Sequence, residues 1–170
     1  VRALPAPPKL FVSVQVESAW GKFTGQPYLG VEQDLSDFPF VEMLGLSSYP
    51  YFVWDNPEAL PMDYYRRLIG NRPLPVLVVE GGWGSESVPG LFVSSTDQQA
   101  RYLARAAALF EGLTAVAWLQ LDATDLEVSA FPADLWSVIR PFSRLGVLDT
   151  ALASKPALRV WDSLFAIPRG

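Results

Sequence analysis

The stretch 75–84, PVLVVEGGWG, sets one carboxylate, Glu80, directly after four apolar residues and just ahead of three glycines. A strand lying on a surface would alternate polar and apolar, and a strand buried throughout would avoid a charge. A carboxylate that closes such a run therefore reads as one delivered by a strand to a place where a ligand is met. The glycines after it let backbone come close. The chain has no histidine and no cysteine, which removes Ser-His and Cys-His nucleophiles, thiolate metal sites and most zinc sites. Hydrolytic chemistry is then left to carboxylates, with no metal and no cofactor expected.

The elements that must position Glu80 can be read along the chain. Residues 2–9, RALPAPPK, are proline-rich and read as an extended arm or linker spanning 1–9. LFVSVQVE (10–17), MLGLSSYPY (43–51), PVLVVE (75–80) and TAVAWLQL (114–121) read as strands. Helices are expected around 34–42, over 57–69 with Asn56 as cap, over 95–111, around 133–142 with Trp136 and Ile139 on one side, and over 155–166 capped by Ser154. In the third of these, Ser95 and Gln98 have capping-box spacing and Leu103, Ala107 and Phe110 repeat on one face. Strand and helix alternate four times, and the strands lack polar alternation, so a parallel α/β sheet buried on both faces is expected. An open doubly wound sheet competes with part of a (β/α)8 barrel. No Gly-rich phosphate motif follows any strand, which weakens the nucleotide-binding form of the open sheet.

Ligands of parallel α/β proteins meet the carboxyl ends of the strands. The first strand ends in Gln15 and Glu17 with Trp20 beyond. The second ends in Ser47, Ser48, Tyr49 and Tyr51 with Trp54 beyond. Glu80 and Trp83 close the third, and Trp118, Gln120 and Asp122 the fourth. Carboxylates, hydroxyls, an amide and indoles on one rim suit sugars, whose CH faces stack on rings while their hydroxyls take polar partners. The simpler reading stands beside this one. Glu17, Asp122 and Glu86 read first as solvated turn residues, and Trp20 and Trp54 serve equally as caps of a core. For Glu80 the apolar run and the glycines favour function.

Together these segments resemble the C-terminal half of a clan A glycoside hydrolase, a (β/α)8 enzyme of the galactanase-like and cellulase-like branch. GLSSYPY is similar to that family's strand six, PVLVVEGGWG to strand seven, AVAWLQLDA to strand eight and SKPALRVWDSLFA to the closing helix, which leaves LFVSVQVE as strand five. The resemblance implies that Glu80 is the nucleophile of a retaining enzyme and that Tyr49, or Tyr51, hydrogen-bonds it. It also implies that Trp118 is the platform under the reacting sugar and that Trp83 and Trp54 stack at outer subsites; their places at the strand ends make Tyr51, Gln120, Asp122 and Glu17 further binding candidates. An extracellular or periplasmic location would follow from the family, though no signal-peptide pattern stands in this segment.

The family's acid/base glutamate follows an asparagine at the end of strand four. Here the only asparagines are Asn56 and Asn71, followed by Pro57 and Arg72, and strands one to four have no counterpart. The expectation is thus a half-barrel over 10–170, starting at Val1 as a fragment or processed product, and holding half an active site. Its partners would be a carbohydrate and either the missing N-terminal half or a second copy in a homodimer, where Asp122 of the other copy would lie near the absent acid/base. Two further readings stay open: a glycan-binding or inactive module without turnover, and an open α/β ligand-binding domain.

The bulk numbers bound these readings. Of 170 residues half are hydrophobic and 18% charged, enough to bury a sizeable core. A net charge of −5 without basic runs argues against nucleic acid and anionic membranes as partners. No apolar run reaches the roughly 18 residues of a membrane span.

Overall fold

The computed structural model describes residues 7–118 and 122–166. The described residues form two compact units, one made of 7–48, 63–81 and 112–118, the other of 49–62, 82–111 and 122–166.

The first unit is built on a parallel sheet in the order β1-β2-β3-β4, with β1 Phe11–Gln15, β2 Met43–Ser48, β3 Val76–Gly81 and β4 Ala115–Trp118. The α/β class expected from the alternation is the class found. Three short helices belong to this unit, α1 Val16–Ala19, α2 Glu32–Asp37 and α3 Arg66–Ile69. β2 is buried almost along its length. β1 instead alternates, with Phe11 and Ser13 exposed and Val14 buried, so one face at this edge of the sheet is open rather than both being covered. The first strand is also shorter than the sequence suggests. It ends at Gln15, whose side-chain oxygen accepts the Ser18 N–H at 3.0 Å and starts α1, so Glu17 sits in a helical turn rather than at a strand end.

Two bulges interrupt the ladders. Leu46 pairs with Val78, but the next pair is Ser47 with Glu80, which leaves Val79 as an extra residue in β3. Likewise Val76 pairs with Ala115 and Leu77 with Ala117, which leaves Val116 extra in β4.

The second unit is mostly helical. It contains α4 Thr96–Leu109, α5 Trp136–Ile139 and α6 Pro156–Phe165, and α4 packs on α6. Ser95 caps α4 as expected, its Oγ accepting the Gln98 N–H. The buried face of α4 carries Gln99, Tyr102, Leu103, Ala106 and Leu109. The stripe is thus rotated from the expected one: Leu103 belongs to it, while Ala107 is exposed and Phe110 is the C-cap.

Three helical expectations are corrected by proline chemistry. The helix over 57–69 is only a 3-10 turn, Pro57–Ala59, and then α3. Asn56 does cap the turn, but Leu60 is extended (ψ 129°) because Pro61 follows it. The region 133–142 breaks into 3-10 turns on either side of α5, with Pro132 before it and Pro141 inside the second turn. The N-cap of α6 is Lys155 rather than Ser154, because Pro156 takes the first helical position.

Candidate functional site

Glu80 owes its direction to the bulge. Val76 and Val78 pair with Leu44 and Leu46, and strict alternation would send residue 80 to the same face. The extra residue, Val79, resets the register so that Glu80 aligns with Ser47, and Ser47 with Gln15 of β1. Bulges next to functional sites commonly re-aim a side chain in this way. The Ser47 hydroxyl donates to Oε1 of the half-buried Glu80 carboxylate. This is the face on which Phe11, lying over Gly45, and Ser13 are exposed. Gly81 follows because nothing larger fits: its φ is +141°, and an added Cβ would lie 2.2 Å from the Ser48 carbonyl oxygen.

Glu17 corrects the solvated-turn reading. It is 0% exposed. Its Oε1 accepts the Tyr64 hydroxyl at 2.7 Å and the Ser48 hydroxyl at 3.1 Å, and its Oε2 accepts the Gln15 amide N–H at 2.8 Å. The Ser48 hydroxyl also meets the Tyr65 hydroxyl at 3.1 Å. Consecutive strand residues point to opposite faces, so the two adjacent serines serve two different carboxylates, Ser47 holding Glu80 and Ser48 holding Glu17. Buried in this way, Glu17 has no surface to offer a ligand. Gln15 is committed too, with its amide divided between Glu17 and the α1 cap.

Trp20 resolves as a structural residue of the same unit. Its indole N–H donates to the Tyr64 carbonyl at 3.0 Å, its ring stacks on Tyr64 at 5.3 Å, and the Arg67 guanidinium lies over it and over Tyr28.

The candidates of the second unit fall mostly into its core. Trp83 is 1% exposed, donates its N–H to Ser94 Oγ at 2.8 Å, and packs near Tyr51 and Tyr102. Tyr51 is equally buried, with its hydroxyl on the Pro141 carbonyl at 2.9 Å. A ring so enclosed presents no face to a sugar, so these two aromatics are core residues rather than platforms. Tyr49 is half-buried, edge-on to Phe142 at 5.0 Å. Trp54 and Asp122 are half-buried as well. Glu86 is exposed and pairs with Arg144 at 3.2 Å, as the solvated reading has it. Trp118 is the last residue of β4, in register with Val78. Gln120 lies outside the described residues.

Sequence reading missed one buried polar cluster. Lys155 Nζ donates to Asp125 Oδ1 at 2.5 Å and to Ser85 Oγ at 2.9 Å, while Ser85 donates onward to the Arg144 carbonyl at 3.0 Å. Burial pushes the Asp125 carboxyl above its usual range, while Lys155 and Arg144 pull the other way. A lysine donating to both partners is not acting as a base, and the Ser85 hydroxyl is tied to a carbonyl, so the cluster is a clamp across three loops. Its one sequence signal is a lysine before the proline that opens α6. Among the described residues no group of three or more Asp or Glu side chains could hold a metal ion, and no helix is long and apolar enough to cross a membrane.

No family model matches the chain, and no curated protein does. Among solved structures it is similar to the β-glucuronidase of Ruminococcus gnavus, at 14% identity and a TM-score of 0.54 over 91% of this chain and 25% of that one. It is similar to a GH2 β-galacturonidase from Eisenbergiella tayi bound to glycerol, at 22% identity and 0.51, covering 76% and 24%. A β-glucuronidase of Bifidobacterium dentium complexed with coumarin-3-O-glucuronide gives 16% and 0.50, covering 75% and 21%. These neighbours are glycoside hydrolases, and at such identities the likeness is one of fold. The chain spans about a quarter of their length.

Proposed function

We propose that the chain is the C-terminal part of a retaining glycoside hydrolase, with Glu80 as its nucleophile. The observation that carries this reading is the placement of the Glu80 carboxylate, half-buried at the carboxyl end of a parallel sheet and turned by a bulge onto the open face where Ser47 donates to it. The strand order β1-β2-β3-β4 has no switch point, which favours half of a barrel over a doubly wound sheet. The fold likeness to glycoside hydrolases supports the same class. In the reaction a Glu80 oxygen bonds to the anomeric carbon as the bond to the leaving oxygen breaks, and that oxygen takes a proton from a general acid. Water then releases the sugar, with the same acid acting as base.

A retaining pair needs its carboxyl groups about 5 to 5.5 Å apart. Glu17, another acid near these strand ends, is 0% exposed and already held by Tyr64, Ser48 and Gln15. The acid/base is therefore assigned to whatever completes the barrel, either N-terminal strands or a second copy contributing Asp122. Trp118 as sugar platform belongs to the same proposal.

A second reading, a glycan-binding module without turnover, is favoured by the complete burial of Glu17, which takes that carboxylate out of any catalytic pair. Turnover separates the two. The purified chain, its oligomeric state followed by light scattering, is assayed on aryl β-glucosides, β-galactosides, β-glucuronides and β-galacturonides. The enzyme reading expects hydrolysis that Glu80→Ala abolishes and that azide restores as an α-glycosyl azide. Glycan binding without hydrolysis would establish the module instead.

A further inference from the structure

We propose that Ser47 is the positioning residue for Glu80, and that the extra residue Val79 brings the two onto one face so that this contact can form. The catalytic consequence rests on the nucleophile reading above, but the positioning does not. Glutamate has three rotatable side-chain bonds, and a half-buried one at a strand end can swing unless something holds it. Ser47 can hold it because it is fixed from both sides. It is paired with Gln15 of β1 on one side and with Glu80 of β3 on the other. Its neighbour Ser48 is anchored to the buried Glu17, which Tyr64 and Gln15 also grip. The tertiary network behind the sheet therefore sets the end of β2, and Ser47 transmits that position to the carboxylate in front.

A purely structural account treats Ser47 as a small residue filling a tight strand end, and alanine would serve that purpose as well. The two accounts differ in whether the hydroxyl acts on Glu80. Isotope-edited infrared spectroscopy of the full chain, with 13C-carboxyl glutamate, reads this directly, since the wild-type minus Glu80→Gln difference isolates the Glu80 carboxylate stretch. Ser47→Ala is expected to shift that band away from its wild-type position, and Ser47→Thr to leave it near the wild-type position. Ser48→Ala, which touches Glu17, is expected to leave it in place. Ser47→Val against Ser47→Thr repeats the comparison at constant shape, should alanine loosen the fold. In turnover, loss of one hydrogen bond to a charged group predicts about a tenfold fall in kcat/KM, carried by kcat and restored by threonine. An unmoved band in both Ser47→Ala and Ser47→Val, or one moved equally by Ser48→Ala, overturns the proposal. A shifted band in a chain without turnover upholds the positioning and counts against the nucleophile reading instead.

Discussion

Replacing Tyr64 by phenylalanine tests how much the buried Glu17 network holds the first unit together. The substitution removes one oxygen and leaves the ring where it is, stacked on Trp20 at 5.3 Å and edge-on to Tyr65 at 4.9 Å, so no cavity opens. What it deletes is the donation of the Tyr64 hydroxyl, 2.7 Å onto a carboxylate that is 0% exposed. A hydrogen bond to a charged group contributes about 1.5–3 kcal/mol, and water cannot replace this one at a site so buried. The expected cost is about 2 kcal/mol. For a chain of 170 residues that corresponds to roughly 4–8 °C in Tm. Urea denaturation at unchanged m-value measures it, and a double-mutant cycle with Glu17→Gln isolates the shared part. A cost within about 0.5 kcal/mol is what a surface residue gives, and it would refute the claim that the Glu17 network holds this unit.

Two further outcomes follow from single contacts. Arg101 donates to Glu58 and holds its carboxyl below the usual range. A depressed folded value contributes stability above the unfolded value of about 4.3, lost as pH falls through the folded one. Both side chains are about half exposed, so Glu58→Gln should cost less than about 1 kcal/mol at neutral pH, and urea titrations should show the difference fading in acid and in high salt. At Gly81 an alanine would meet both the +141° φ and the Ser48 carbonyl, so Gly81→Ala should cost roughly 3 kcal/mol or more. Gly25, also at positive φ but with nothing within 4 Å, should accept alanine for about 1 kcal/mol in the same urea experiment.

The parts of the fold legible in the sequence are those written in local pattern. The valine-rich run 76–79 announces β3, and Ser95 with Gln98 announces the start of α4. Glu80 stood out because a charge breaks that run and glycines follow it, a signal confined to ten residues. Glu17 gave no such signal. Its partners lie at positions 15, 48 and 64, so nothing beside it in sequence distinguishes it from a solvated turn glutamate. The Val79 bulge was hidden for a related reason: a strand's register is set by its neighbours, and four apolar residues read alike with or without a slip. Trp83 shows the limit for aromatics. Its place after Glu80 suits a platform and a core residue equally, and only the Ser94 acceptor within the fold decides. Lys155 took the cap position from Ser154 because Pro156 fixes the start of α6 and the side chain of Lys155 is held by Asp125 and Ser85.

The central claim is that Glu80 forms a bond to sugar. It is tested most directly by exposing the purified chain to activated 2-deoxy-2-fluoro β-glycosides of the four sugars above, followed by intact mass and peptide mapping. The account predicts a single glycosyl adduct on the peptide carrying residues 75–84, lost in Glu80→Gln. An adduct on another carboxylate, or none from any of the four, would contradict it.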